Sequence, residues 1–575
     1  MNVASPANAT ASDRRPAGSA HRSTGRLSSG RKVLGFGFMC LGCFIAFLDI
    51  QIVSASSQQI GGGLSASQDE LSWVQTSYLI AEIVVIPLSG WLSRVMSTRW
   101  LVAASAAGFT VASVLCASAW DLGSMIAFRA LQGFFGGSMI PTAYTASVIL
   151  FPGKQKAIAA SFVTAAAGLA PTVGPVMGGW ITDSWSWQWL FYVNIVPGLL
   201  VASLIPILVK IDKPDLTWLK GADYLGMLLM AVSLGCLDYV LEEGARWEWF
   251  ADDTITTCAW ISGLTGIGFI IRCLTFACPV VDLRALASRN FALGCWFSFV
   301  TGVGQFSMIY LIPTFLGSVR GFDPWQIGVA ILSAGIFQLC TIPIYSVFAN
   351  RVDLRLLLMF GLACYGMSMW LFTSMMNQWG WKEMLLPLAF RGVASPFSSP
   401  STVTLTLGGL PSDRLKSASG LFSLMRSLGG ALGIAACATI LNDRTNLHFL
   451  RIAEHWTSAN QQFMNLLHGI AARYTQVSGD SVSGQAAALK KVWLLAYREA
   501  QVQAFADAFL AIALCFALCV PMVPLMRKLV SPGLSKIKPL AAITTRRAED
   551  RAERLCTIPP NVRIMPAPLG RTRKS

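Results

Sequence analysis

The chain has 575 residues, of which 54% are hydrophobic and only 13% are charged. Soluble domains carry about 25% charged residues, so this composition excludes an ordinary soluble globular protein. The net charge is +15, yet Lys and Arg gather in the tails and in alternate loops. That pattern fits membrane topology and lipid attraction, and no nucleic-acid partner is expected.

Residues 1–32 are rich in Ser, Ala, Gly and Arg and are expected to form a disordered cytoplasmic tail. Arg31 and Lys32 end it at the membrane face. A cleaved signal peptide does not fit, because the apolar stretch that follows is too long and carries Asp49. Apolar runs of about 20 residues then recur almost to the C-terminus, each long enough to cross a hydrocarbon core. Runs of this length satisfy their backbone as helices, so the chain reads as an all-α polytopic membrane protein. Candidate spans begin near Val33, Leu71, Trp100, Leu122, Ala157, Trp189, Ala222, Thr254, Phe291, Gln326, Leu354, Met384, Ser417 and Val502, fourteen in all.

The loops between them alternate in charge. Arg94 and Arg99, Lys154 and Lys156, Lys210 to Lys220, Arg284 and Arg289, Arg351 and Arg355, and Arg414 and Lys416 fall on one side. Asp69 and Glu70, Asp183, and Glu242 to Asp253 fall on the other. Positive-inside asymmetry then puts both termini in the cytoplasm, which only an even number of spans allows. Residues 442–500 form a long external loop in which Leu447 to Phe463 and Ala486 to Val502 look helical and extend the flanking spans. Residues 527–575 are a basic cytoplasmic tail suited to anionic lipid. The turns Gly90 to Arg99 and Asn350 to Arg355 echo each other after the second and tenth spans, as in repeat-built transporters.

Most of the fourteen Cys lie inside apolar runs and act as small hydrophobes, including Cys40 and Cys43, a CxxC with no partner pair. Charges inside spans are few: Asp49, Glu82, Arg129, Asp238, Arg391 and Arg426. An arginine in mid-membrane costs about 2.5–3.5 kcal/mol on insertion scales and cannot shed its charge. Arg129 therefore needs an acid, backbone carbonyls or water, and Asp49 and Glu82 are the nearest acids on offer. Gln75, Tyr78 and Glu82 share one helix face, which should look into a cavity. Asp238, Arg391 and Arg426 read as lying near span ends. Gly174 and Gly178 form a GxxxG that permits close helix approach, and Pro171 and Pro175 favour a bend. Phe337 and other aromatics fit either packing or a greasy cavity, and Gln132 and Gln305 are further candidate polar contacts for substrate. No catalytic set, metal-ligand spacing or phosphate-binding loop is found, so no cofactor, enzymatic role or ATP-driven pumping is expected.

These residues resemble the major facilitator superfamily, in its fourteen-span drug:proton antiporter branch of EmrB/QacA type, over about residues 33–530. Leu48–Asp49 keeps the first-span motif, with Gln51 and Ser54 replacing its Thr and Asn. Trp73 to Glu82 with Pro87 and Gly90 is similar to the second-span pattern. Arg129, Gln132 and Gly133 match the fourth-span motif. Gly174, Pro175, Gly178 and Gly179 match the antiporter motif of the fifth, with Ala170 for its first Gly. Ser93 stands where the loop after the second span usually has Asp, so the gating charge cluster of that loop lacks its acid, while Arg94 and Arg99 remain to contact phospholipid.

The resemblance implies a major facilitator fold with 14 transmembrane helices. Residues 33–210 and 291–526 would be six-helix bundles, with two inserted helices and a linker at 211–290. It implies proton-driven export of amphipathic compounds across a bacterial inner membrane. Asp49, Glu82 and Asp238 would be the proton carriers and Arg129 would bias them. Gln75, Tyr78, Gln132, Gln305 and Phe337 would touch substrate. A periplasmic adaptor and an outer-membrane channel are the partners that the long external loop suggests. The rival readings are a carrier of one metabolite, such as a siderophore or amino acid, and a non-transporting sensor or scaffold.

Overall fold

The computed structural model describes residues 29–67, 70–151, 153, 155–276, 279–410, 412–457 and 460–528. Asp69, Lys154 and most of both expected tails lie outside the described residues. Residues 29–32, expected to be disordered, already belong to the first helix. All regular elements among the described residues are helical: α1 Ser29–Ala55, α2 Ser72–Met96, α3 Thr98–Ala117, α4 Leu122–Leu150, α5 Gln155–Ser184, α6 Ile195–Leu208, α7 Tyr224–Glu243, α8 Asp253–Thr275, α9 Arg289–Ser318, α10 Pro324–Ala349, α11 Leu354–Phe372, α12 Trp381–Leu407, α13 Ser412–Ala453, α14 Gln461–Ser478 and α15 Ser481–Cys519, besides shorter turns.

Their starts follow local chemistry. Asp121, Asp223, Asp252, Asp323, Asp353 and Asp480 each cap a helix by accepting a backbone amide just inside it, where a carboxylate also complements the helix dipole. Twelve helices among the described residues are long and apolar enough to cross a membrane. α4 and α12, of 29 and 27 residues, are not among them; they carry Arg129 and Gln132, or Arg391, three prolines and many Ser and Thr. Those polar residues are mostly buried against protein, so tertiary packing hides what hydropathy reads as polar.

The packing repeats. In the first half α1 lies on α5, α2 on α4, and α3 on α4 and α6; in the second, α9 lies on α13, α10 on α12, and α11 on α12 and α15. Two seams join the halves. α5 runs against α10, with a Cβ on Gly328 falling 2.2 Å from Val176 Cγ2 and Gln338 Nε2 donating to the Thr164 carbonyl at 3.2 Å. α2 meets α13 only at one end, where a Cβ on Gly90 would sit 2.8 Å from the Lys416 carbonyl oxygen. Towards their other ends these two helices part, and a cavity opens between them.

Residues 442–500 differ from a loop. α13 and α15 continue for 42 and 39 residues, tied by His448 and Asp507 at 2.9 Å, and α14 packs on α15. The expected helix Leu447 to Phe463 is broken after Ala453, and α14 starts at Gln461 under the cap of Asn460.

Candidate functional site

Glycines in α4 allow α2 to lie against its backbone. A Cβ on Gly133 would fall 2.2 Å from the Tyr78 carbonyl oxygen, and one on Gly137 2.8 Å from that of Glu82. This contact delivers α2 to Arg129. Its Nε donates to the Val74 carbonyl at 3.0 Å, and its guanidinium lies 4.4 Å from the centre of the Tyr78 ring, a cation–π contact.

Nη1 of Arg129 reaches Asp49 Oδ2 at 2.5 Å and Gln132 Oε1 at 2.7 Å. Asp49 Oδ1 accepts from Gln132 Nε2 at 2.9 Å and from Asn194 Nδ2 at 2.6 Å, and Gln132 Nε2 also donates to Ser113 Oγ at 2.8 Å. Both charges are 0% exposed. Such a pair holds in a dry interior only when further hydrogen bonds satisfy it; this network supplies most of them from α1, α3, α4 and Asn194, and leaves Arg129 Nη2 without a hydrogen-bond partner. Of the two acids offered by the sequence, Asp49 is the ionic partner. Asn194 and Ser113 escaped the sequence reading, for an Asn just ahead of a helix reads as a cap.

The cavity holds about 370 Å³ and is lined by residues of α1, α2, α5, α7, α9, α10 and α13, within the size range of drug-sized sites. Gln75, Glu82, Pro175 and Asp238 line it. Asp238 and Glu242, one helical turn apart, face it together. Glu242, expected in an external loop, instead closes the last turn of α7. The spacing of four from Asp238 was the available signal. Oε2 of Glu82 and Oδ2 of Asp238 are buried without a hydrogen-bond partner.

Tyr78, Gln132, Gln305 and Phe337 are not among the lining residues. Tyr78 is wholly buried, its hydroxyl donating to the Ala46 carbonyl at 3.4 Å. Gln132 belongs to the Arg129 network, and Gln305 accepts from Arg426. Phe337 packs beside Gly392 on α12. Gly174 and Gly178 press α5 onto α1, their added Cβ atoms falling 2.4 Å from Gln51 Cβ and 3.0 Å from the Ile52 carbonyl oxygen, while Gly179 faces Pro324 across the seam at 3.4 Å. Arg426 and Arg391 are both buried in mid-helix rather than near span ends. Arg426 bridges the halves, donating to the Tyr144 hydroxyl of α4 at 2.6 Å and to Gln305 of α9.

The narrow end has its own charges. Lys416 of α13 donates to the Ser93 carbonyl at 2.9 Å and pairs with Asp212. Asp212 also accepts the Thr98 amide of α3, at 3.0 and 3.1 Å.

Two repeated bundles around a half-open cavity, with few charges inside and one buried ion pair at Arg129 and Asp49, make the architecture of a small-molecule membrane transporter. The chain belongs to the Major Facilitator Superfamily, whose family model matches residues 39–434. It is 36% identical over 474 residues to the colistin resistance protein EmrB of Acinetobacter baumannii, covering 82% of this chain and 91% of that one. It is 29% identical over 445 residues to the multidrug export protein EmrB of Haemophilus influenzae, covering 76% and 87%. Among solved structures, the proton:xylose symporter XylE shares the fold at a TM-score of 0.52 and 14% identity, covering 87% of this chain and 97% of that one. The expected all-α major facilitator fold and EmrB-type resemblance are both borne out, whereas twelve rather than fourteen helices among the described residues meet the length and apolarity of a span.

Proposed function

We propose that the protein exports amphipathic or toxic small molecules across a bacterial inner membrane in exchange for protons, by alternating access. The observation that carries this reading is the cavity between the halves, apolar in the main, lined by Glu82, Asp238 and Glu242 and closed at the end held by Lys416 and Asp212. The names of the two EmrB relatives favour efflux. In this reading α4 and α12 are spans, which makes fourteen. Residues 33–210 and 291–526 are the moving bundles, and 211–290 carries the inserted pair and its linker. The basic loops and both termini face the cytoplasm, so the cavity opens outward.

Glu82 and Asp238 exchange protons with the cavity. Asp49 answers through the Arg129 network, which shifts when α2 moves. One proton falling through 100 mV supplies about 2.3 kcal/mol, roughly a fiftyfold gradient, so one or two suffice. The outer ends of α13 to α15 are the docking site for a periplasmic adaptor that leads to an outer-membrane channel, and the basic tail rests on anionic lipid.

The test uses energised inverted vesicles from a pump-deficient strain. A compound whose tolerance the protein raises should dissipate the pH gradient. Glu82→Gln, expressed at normal level, should lower that signal at least tenfold. Proton-driven accumulation of the compound inside intact cells would overturn the exporter reading.

A further inference from the structure

The inserted helices are not equivalent. α8 is little buried by its neighbours, whereas α7 is wedged between the halves. Trp73 of α2 stacks on Tyr239 at 5.3 Å, and the Thr76 hydroxyl donates to Glu243 at 3.2 Å. Beyond its C-terminal end, Trp249 donates to Thr439 of α13 at 3.0 Å. Arg272 of α8 pairs with Asp223 at the start of α7 at 2.9 Å. These contacts fix how α7 is turned about its axis, and the face it turns to the cavity carries Asp238 and Glu242.

Together with Glu82 they put three carboxylates on the wall of one cavity, and none of its lining residues is Lys, Arg or His. The nearby arginines are spoken for. Arg129 lies behind the Tyr78 ring on Asp49, and Arg426 is turned to Tyr144 and Gln305. Asp238 is 2% exposed and Glu82 7% exposed, and each has an oxygen without a partner. A buried carboxylate calls for a proton or another cation. Protons alone would serve a neutral cargo, but the remaining wall, including Phe306 and Tyr310, suits an apolar body attached to a positive charge.

We infer that α7 supplies the cation-recognition group of the transport cavity. Asp238 and Glu242 take the positive charge of an amphipathic cation while Phe306 and Tyr310 pack its apolar part. The inserted pair is thus part of the substrate path and no mere spacer. This inference rests on the exporter reading for its biological sense, but binding tests it without transport.

Purified protein in detergent is titrated with tetraphenylphosphonium and with a neutral tetraphenyl analogue of matched size. Wild type should bind the cation at least tenfold more tightly than the neutral probe. Glu242→Gln and Asp238→Asn should each weaken cation binding about tenfold and leave neutral binding within twofold. Glu242→Asp, which keeps the charge, should restore most of the cation preference and stands in if Asp238→Asn does not fold. Equal binding of both probes by wild type, no cation binding, or loss of both probes together in a folded Glu242→Gln would overturn the inference. Cation binding without export in vesicles would overturn the exporter reading alone.

Discussion

Arg129 shows how one residue organises its surroundings. Its charge is offset by Asp49, by the Val74 carbonyl and by the Tyr78 face, so α1 and α2 are both tied to α4 through it. Removing one member of a buried ion pair leaves the other uncompensated, at about 3–5 kcal/mol. Arg129→Ala and Asp49→Ala should each destabilise the folded protein by about that amount, and the double variant by clearly less than their sum. Thermal unfolding in detergent checks this, and additive losses would show that the pair is not coupled. Arg426 is a second such residue, joined to no carboxylate but to a phenol and an amide. Beside it lies a void of about 10 Å³ lined by Thr301 and Ser399 among others, where the Arg426 Nε and both hydroxyls have no partner. One water fits such a space and needs two to four polar partners. A high-resolution experimental map should show it, and an empty void there would refute the assignment. The sequence made Arg129 conspicuous because nearby acids could be named for it. It undervalued Arg426 because amides and phenols are too common to flag as partners.

At the scale of elements, the decisive feature is that α2 and α13 touch at one end and part at the other. The contact end is latched by Lys416, which reaches the Ser93 carbonyl and Asp212, while Asp212 holds the Thr98 amide. The acid missing at position 93 is thus supplied from the segment just after α6, 114 residues along from Thr98. No local pattern announces that replacement, since it depends on how α6 returns beside α3. Helix existence, by contrast, was legible from apolar runs. Boundaries were less so: the helical extensions of α13 and α15 showed in the pattern, but the break after Ala453 and the separate helix α14 did not. Charge-assisted hydrogen bonds are worth about 1.5–3 kcal/mol each, so Asp212→Ala or Lys416→Ala should shift the latch towards open by roughly tenfold or more. A cysteine at Ser419, which is buried against Thr145, should then react correspondingly faster with an impermeant thiol reagent in inverted vesicles. An unchanged labelling rate in both variants would remove the latch from the argument. The exchanged pair Asp212→Lys with Lys416→Asp should recover part of the protection, but not the Thr98 amide bond.

At the scale of the whole molecule, the two seams have unequal duties. The α5–α10 seam is close along much of its length, through Gly179, Gly328 and Gly335, and it can act as the hinge side about which the bundles rock. The α2–α13 seam is close at its contact end, where Gly90 and Gly420 bring the backbones together, as befits a contact that forms and breaks. α7 touches both α2 and α13, so it must follow one of them when the cavity end narrows. If export needs the latch end to open, a covalent link there should stop it without emptying the cavity. Thr145→Cys with Ser419→Cys is the informative pair, because the two hydroxyls, on α4, which packs on α2, and on α13, meet at this end. Mild oxidation should abolish proton-coupled transport in the double variant and leave probe binding within about twofold. Reductant should restore transport, and each single variant and the wild type with its native cysteines should be indifferent to the treatment. Continued transport by a fully crosslinked protein would mean that substrate crosses without parting α2 from α13, and alternating access about this seam would have to be abandoned.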